Sequence, residues 1–303
     1  MWALQYSAEP PAIVTNLPVV KKMPKIVRDL MGLPATLGRV GDLEIRLATT
    51  KKEIRKAQRL RYRVFFEEGH AIPDRTAALL RRDICPFDRV CDHLLVIDHA
   101  ARSTHLKRKK SRVVGAYRFL RQDVAMRNFG FYSTAEFDVT SLIARHPGKR
   151  FMELGRSCVL EAYRSKRVIE LLWQGIAAYV QHHGIDVMFG CASFEGVRPQ
   201  DHAEALGYLH HHAKAKGDYA ASALANRYSR MDVLGAKDID PRRAIAAMPP
   251  LVKGYLRIGA RFGDGAVIDW QFNTTDVLVI LAVDQIEARY LNHFIPQKVA
   301  MAA

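Results

Sequence analysis

The sequence has no apolar run long enough to cross a bilayer. A helical span needs about 20 largely apolar residues, and the best uninterrupted stretch is only 277–283. The opening residues, MWALQYSAEPPAIV, contain an acid and two prolines. They lack the charged-then-apolar order of a secretory signal. Cysteine is scarce: Cys85, Cys91, Cys158 and Cys191 are the four in 303 residues, with no C-x-x-C spacing. A disulfide framework or zinc ribbon is therefore not expected, and a reducing, cytoplasmic setting is. The histidines His202 and His210-His211-His212 have no acidic or cysteine ligand at metal spacing, so no metal site is expected. No internal repeat is visible. Acid is also in deficit, with 31 Asp plus Glu against 46 Lys plus Arg, a net charge of +15. That excess says nothing about fold, but it favours an acidic partner: nucleic acid, an anionic membrane face or an acidic protein.

What is present is globular in composition, with 49% apolar and 25% charged residues. The basic excess is concentrated in residues 102–236, which carry 21 basic and 12 acidic side chains. Residues 1–40 hold five prolines among apolar residues and lysines and read as an arm. Alternation predicts strands at 43–48, 93–98, 113–120, 151–160 and 186–191. Helical spacing predicts a helix from Lys51, capped by Thr50 or Thr49, and a longer one over 169–183. A short helix is expected at 199–206, a variable insertion at 208–248, and further strands at 254–261 and 275–283. The order implies a mixed α/β sheet in one domain, 41–290, followed by a tail, 291–303. The helix after the fourth strand is the crossover, and ligands in such sheets gather near its N-terminal end.

Several charges stand inside apolar runs. They are Arg61 and Arg63 beside Phe65, Asp83 and Asp88, Arg118 in GAYRFL, and Glu153 with Arg156 in FMELGRSCV. Glu153 and Arg156 are three apart on a strand, so alternation puts them on opposite faces. A bulge at Gly155 would turn both toward one site. Without a site, the same residues make a buried ion-pair network that holds the sheet.

The motif ELGRSCV at 153–159, the pair Tyr163-Arg164, DVMFGCASF at 186–194 and the late stretches PPLVKGYLR, GDGA and TTDV resemble the bacterial ornithine lipid N-acyltransferases. The resemblance covers roughly residues 45–285. It implies a GNAT-like acyltransferase fold, a mixed central sheet flanked by helices. It also implies transfer of a 3-hydroxyacyl group from acyl carrier protein to the α-amine of L-ornithine, the first step of ornithine lipid synthesis. The front half is also similar to the acyl-homoserine-lactone synthases, but no tryptophan follows Phe66 as it does in them. GNAT enzymes carry a glycine-containing pyrophosphate loop before the crossover helix. Here Arg164-Ser165-Lys166-Arg167 stands in its place without glycine. That suits the single phosphate of 4′-phosphopantetheine on a carrier protein, and no resident cofactor is expected.

Within this resemblance Glu153 is the first candidate base and Asp88 the next, with Arg156 organising them. Arg63 or Arg118 would clamp the ornithine carboxylate, with Phe65 and Asp83 beside the acceptor. Ser157, Val159, Arg164, Lys166 and Arg167 would meet the donor arm or its carrier. The basic run 102–112 reads as a dock for the acidic carrier protein, with an anionic membrane face as a second target. Peripheral contact with the cytoplasmic membrane is therefore compatible with the cytoplasmic assignment. Nucleic acid is disfavoured, because no helix-turn-helix, zinc-finger or aromatic RNP pattern accompanies the charge. Two rival readings are a lactone synthase on the same fold and a non-catalytic basic binding protein.

Overall fold

The computed structural model describes residues 30–101 and 111–286. Most of the proline-rich arm, residues 102–110 of the basic run, and the tail lie outside the described residues. The described chain opens with a hairpin of β1 (Gly38–Val40) and β2 (Leu43–Leu47), turning through Gly41 at φ +61°. Helix α1 (Lys51–Tyr62) starts where expected. The Thr50 side chain accepts the Glu53 amide, and Glu53 accepts the Thr50 amide in return. A π-helical turn, Arg63–Glu67, extends it. The short α2 (Arg75–Leu80) leads to β3 (Asp92–Asp98) and β4 (Arg112–Arg121), which pair around the basic run as expected. Two short helices, α3 (Gln122–Met126) and α4 (Val139–Ala144), precede β5 (Phe151–Val159). The crossover helix α5 (Lys166–His183) joins β5 to β6 (Val187–Glu195). Then come α6 (Ala203–His212), α7 (Pro241–Ala247), α8 (Pro250–Arg257), β7 (Arg261–Asp269) and β8 (Thr274–Ala282). Among the described residues no helix is long and apolar enough to cross a membrane.

The eight strands form one sheet in the order β1-β2-β3-β4-β5-β6-β8-β7. Only β5 and β6 are parallel, the pair that a crossover helix requires. Side-chain alternation along β4 divides the two faces. Phe119 meets Tyr179 of α5 at 4.8 Å between ring centroids. Its neighbour Arg118 points the other way, toward Arg61 of α1 and Asp88. Helix α5 approaches the sheet closely at Gly175, where a β-carbon would come within 2.9 Å of Ile45 and Leu94.

The strand expected at 254–261 is not there. Residues up to Arg257 belong to α8, and β7 begins at Arg261. Pro250 at the first helical position favours a helix start, and Val252 and Tyr255 bury at helical spacing. β7 escapes the pattern because Gly263, Asp264 and Gly265 interrupt its alternation. The stretch expected as a variable connection lies against β7 through isolated bridges, Lys214 to Phe262, Ser222 to Asp264 and Ser229 to Ala266. It thereby covers an edge that would otherwise stay open.

Strands β5 and β6 pair only over Phe151–Glu153 and Val187–Phe189, although each runs about six residues further. Past Glu153 they part. At the parting point Gly190 passes the Leu154 carbonyl so closely that a β-carbon would sit 2.1 Å from its oxygen. The obstacle is backbone and cannot rotate away. Gly190→Ala is expected to destabilise the protein by about 3 kcal/mol, read as a lower midpoint in urea denaturation. An unchanged midpoint would mean the two strands are free to separate there.

Candidate active site

A cavity of about 420 Å³ opens where β5 and β6 part. One wall is β5 from Glu153 to Ser157, and the opposite wall is β6 from Cys191 to Ser193. The Glu153–Arg156 problem is resolved by a bulge, as the sequence implied, but not at the expected residue. Ala116 pairs with Cys158 and Arg118 with Gly155, so Arg156 and Ser157 together oppose Tyr117. The strained position is Arg156 itself, at φ +54°. A left-handed arginine within a strand is uncommon. Its effect is to bring Arg156 to the cavity side, with Glu153 and Arg118.

Behind that wall lies a buried ion-pair network. Arg61, only 1% exposed, donates from Nε to Asp83 at 2.7 Å and from both terminal nitrogens to Asp88 at 2.9 and 2.7 Å. Arg118 also donates to Asp88, at 3.2 Å, and Gln58 does so at 2.9 Å. Burial would raise the Asp88 carboxyl, but the Arg61 charge overrides it and holds it well below the usual carboxylate range. Arg156 closes the network with Nε 3.5 Å from Asp83. Its guanidinium lies 4.3 Å from the Phe272 ring centroid and 5.1 Å from that of Tyr132. Both rings can hold a cation.

The expected site residues therefore separate. Glu153, Arg156, Arg118, Phe65, Ser157 and Arg164 line the cavity. Asp83 and Asp88 lie behind it as partners of Arg61. Of the two arginines before Phe65, Arg61 is the buried one. The Arg63 side chain is half exposed and pairs with Glu68, so it stands away from the place expected for a carboxylate clamp. Val159 pairs with Gly115 on β4, beyond the cavity lining. Lys166 and Arg167 open α5 and are exposed, Lys166 pairing with Glu170. Arg164 donates to the Val159 carbonyl and to Glu68. The histidine run does not converge: His210 pairs with Asp264, His211 meets the Leu234 carbonyl and His212 stacks on Tyr208.

Glu153 is held by three donors. The amide of Tyr132 reaches Oε2 at 2.9 Å, and the amide and hydroxyl of Ser133 reach Oε1. Beyond it lies a group that the sequence did not single out. One carboxylate oxygen each of Glu136, Asp269 and Asp276 lies within 4.8 Å of the others. Burial, with Asp276 and Asp269 beside it, pushes Glu136 up to about 7. Burial pushes Asp276 up to about 6. The only available signal was Asp276 in TTDVLVILA, a charge entering the most apolar strand. Burial pushes Cys91 and Cys158 up to about 12 and Cys191 well above its usual value. These thiols stay protonated and are poor nucleophiles.

Two outcomes follow for stability. Arg61→Met leaves Asp83 and Asp88 buried without their main partner, so a loss of about 3–5 kcal/mol is expected in chemical denaturation at neutral pH. A loss below about 1 kcal/mol would mean that water or Arg118 replaces the guanidinium. For Glu136 and Asp276 the folded-state pKa lies above the unfolded value. Their protonated forms favour the fold at low pH, and that contribution is lost as pH rises through about 6 to 7. Glu136→Gln should therefore raise the melting temperature of the ligand-free protein by roughly 3–6 °C at pH 8 and much less at pH 5. Equal shifts at both pH values would contradict the assignment.

Residues 60–174 match the acetyltransferase (GNAT) domain family. The chain is 50% identical to the L-ornithine N(alpha)-acyltransferase of Rhizobium meliloti (strain 1021) over 284 residues, 93% of this chain and 95% of that protein. It is 51% identical to that of Agrobacterium fabrum over 93% of this chain and 94% of the relative. With that of Rhodobacter capsulatus it shares 42% over 78% and 89%. Among solved structures, the N-acyl amino acid synthase FeeM from uncultured soil microbes aligns at a TM-score of 0.44 and 13% identity, over 80% of this chain and 91% of that one. The AHL synthase LasI aligns at 0.42 and 12%, over 78% and 89%. Identity of about one half over more than nine-tenths of both chains is kinship of the whole molecule and not of one motif: the chain belongs to the family of bacterial L-ornithine N(alpha)-acyltransferases.

Proposed function

We propose that the protein transfers a 3-hydroxyacyl group from the thioester of an acyl carrier protein to the α-amine of L-ornithine, giving lyso-ornithine lipid. The observation that carries this reading is the bulge at Arg156. It sets a carboxylate, Glu153, and a guanidinium, Arg156, on one wall of the cavity between the parted strands. The two terminal nitrogens of Arg156 have no hydrogen bond among the described residues, while the rings of Tyr132 and Phe272 hold the group in place. A planar fork held in this way suits the α-carboxylate of an amino acid. Arg118 stands beside it, already committed to Asp88.

The donor fits the other side. Past the parting, β5 has no partner strand on its β6 side, so the backbone around Ser157 suits an extended pantetheine arm, with Arg164 on the Val159 carbonyl beside it. The first amides of α5 have no acceptor within the helix. Arg164, Lys166 and Arg167 surround that end, which suits one phosphate. The surplus of basic over acidic residues in 102–236 favours an acidic carrier protein, and secondarily an anionic membrane that receives the lipid product. Residues 41–290 form the catalytic unit in this reading, with 1–40 as arm and 291–303 as tail.

The reaction needs a neutral amine, a polarised thioester and close approach. Glu153 Oε2 accepts one protein donor, which leaves a lone pair for the proton of the attacking α-ammonium, directly or through a water. The amine nitrogen bonds to the thioester carbon and the C–S bond breaks. The thiolate takes up a proton and leaves as holo-carrier protein. No covalent enzyme intermediate is needed, in keeping with the protonated state of Cys191.

Incubation with a 3-hydroxyacyl carrier protein and labelled ornithine should yield labelled lyso-lipid. A lactone formed from S-adenosylmethionine, or no product, would replace this reading with one of its rivals. Glu153→Gln should lower kcat at least about 100-fold. Carrier-protein binding should be retained. A variant with near-normal turnover removes Glu153 as the base.

A further inference from the structure

The cavity has a second, negative end. Asp269 closes β7 and Asp276 lies on β8, and both line the cavity. Glu136 lies behind them, after the turn that holds Glu153. Asp276 is only 6% exposed; the Ser193 and Thr274 hydroxyls stand beside its carboxyl, yet its Oδ1 is left without a well-formed hydrogen bond among the described residues. Asp269 uses Oδ1 to cap the amides of Gln271 and Phe272. Glu136 accepts from the Cys191 thiol at 3.4 Å and has Arg227 at 3.9 Å. No other ion pair within 4 Å reaches the three carboxylates among the described residues. Buried anions are costly unless a cation completes them. This chain has an excess of cations, yet among the described residues one arginine, Arg227, lies within 4 Å of the group, and Arg156 acts on Asp276 only through its charge from further off. Asp276 lines the cavity, and a buried carboxylate with one oxygen short of a partner is an acceptor for a donor that arrives with a ligand.

The cavity thus presents the two terminal nitrogens of Arg156, whose Nε faces Asp83, and a carboxylate group at Asp276. A zwitterion with an additional cationic end matches both. We propose that Asp276, with Asp269 and Glu136 around it, binds the distal ammonium of the diamino-acid acceptor. This deepens the reading of the cavity as the acceptor site and rests on it. An ammonium surrounded by carboxylates keeps its proton, so it has no lone pair to attack a thioester. The α-amine is then the nucleophile presented to the donor. The selection is for a chain that carries a cation at its far end, and an amino acid of the same length without one leaves the acidic group uncompensated.

The test pairs a ligand change with a residue change. Acylation of L-ornithine and of L-norvaline, which has the same carbon chain without the distal amine, is measured with one 3-hydroxyacyl carrier-protein donor. The wild-type protein should favour ornithine by about 100-fold or more in kcat/KM. In Asp276→Asn the ratio should fall below about 5-fold, through loss with ornithine and not with norvaline. Asp269→Asn, at a half-buried position, provides a second variant, and thermal melting verifies that both fold. A wild-type protein that acylates both amino acids equally, or variants that keep the 100-fold ratio, would overturn the proposal. So would calcium or magnesium binding by calorimetry that is lost in Asp276→Asn while the ratio stays intact, since the group would then be a metal site. If the wild type acylates neither amino acid, the acyltransferase reading itself fails, and this inference falls with it.

Discussion

One buried guanidinium organises the molecule around its cavity. Arg61 binds the side chain and carbonyl of Asp83 and both oxygens of Asp88, at 1% exposure. It thereby ties α1 to the loop between α2 and β3. Through Asp88 the tie extends to Arg118 on β4, and through Asp83 to Arg156 on β5. Neither charge sign is tolerable alone at that depth, so the geometry of each partner is dictated by the others. The bulged, left-handed Arg156 is held in this frame by Asp83 on one side and by two aromatic rings on the other. Strain at a strand position persists only where the surroundings over-determine it.

The cavity is electrostatically divided. Its lining carries both signs: Arg118 from β4 and Arg156 and Glu153 from β5, and Asp269 and Asp276 from β7 and β8. The two ends have different thermodynamic characters. On the arginine side Arg61 and Arg118 are paired with Asp83 and Asp88 and contribute to the fold at neutral pH, while Arg156 has only the Asp83 ion pair. The acidic side is under-compensated: burial and the neighbouring carboxylates raise Glu136 and Asp276 and favour their protonated forms. In the proposed reading the ligand's cation completes this group, a common balance between stability and function.

The central fold was legible wherever periodicity was strong. The Thr50 cap, the stripe of α1, the β3–β4 hairpin and the long crossover helix stand where the pattern put them. The pattern failed at 254–261 because a short amphipathic helix and a strand opening on glycines leave no alternation to read. It was silent over residues 121–150, where α3 and α4 span five and six residues, less than two helical turns each. Those residues nonetheless supply Tyr132, Ser133 and Glu136 to the site.

That charges would be buried was readable from the chain alone, because Arg61, Asp88, Arg118, Glu153 and Arg156 interrupt apolar runs and must find partners. The sequence also marked the family through ELGRSCV and the motifs that follow. It could not decide which arginine points inward, since Arg61 and Arg63 differ only by rotation about the helix axis. Nor could it bring Asp269 and Asp276 together with Glu136, more than 130 residues away in the chain. Pairing of β7 with β8 and closure of the 132–136 turn over β5 made that juxtaposition. A carboxylate on a strand reads as an ordinary surface charge until the tertiary fold removes its water, and only then does it require a cation.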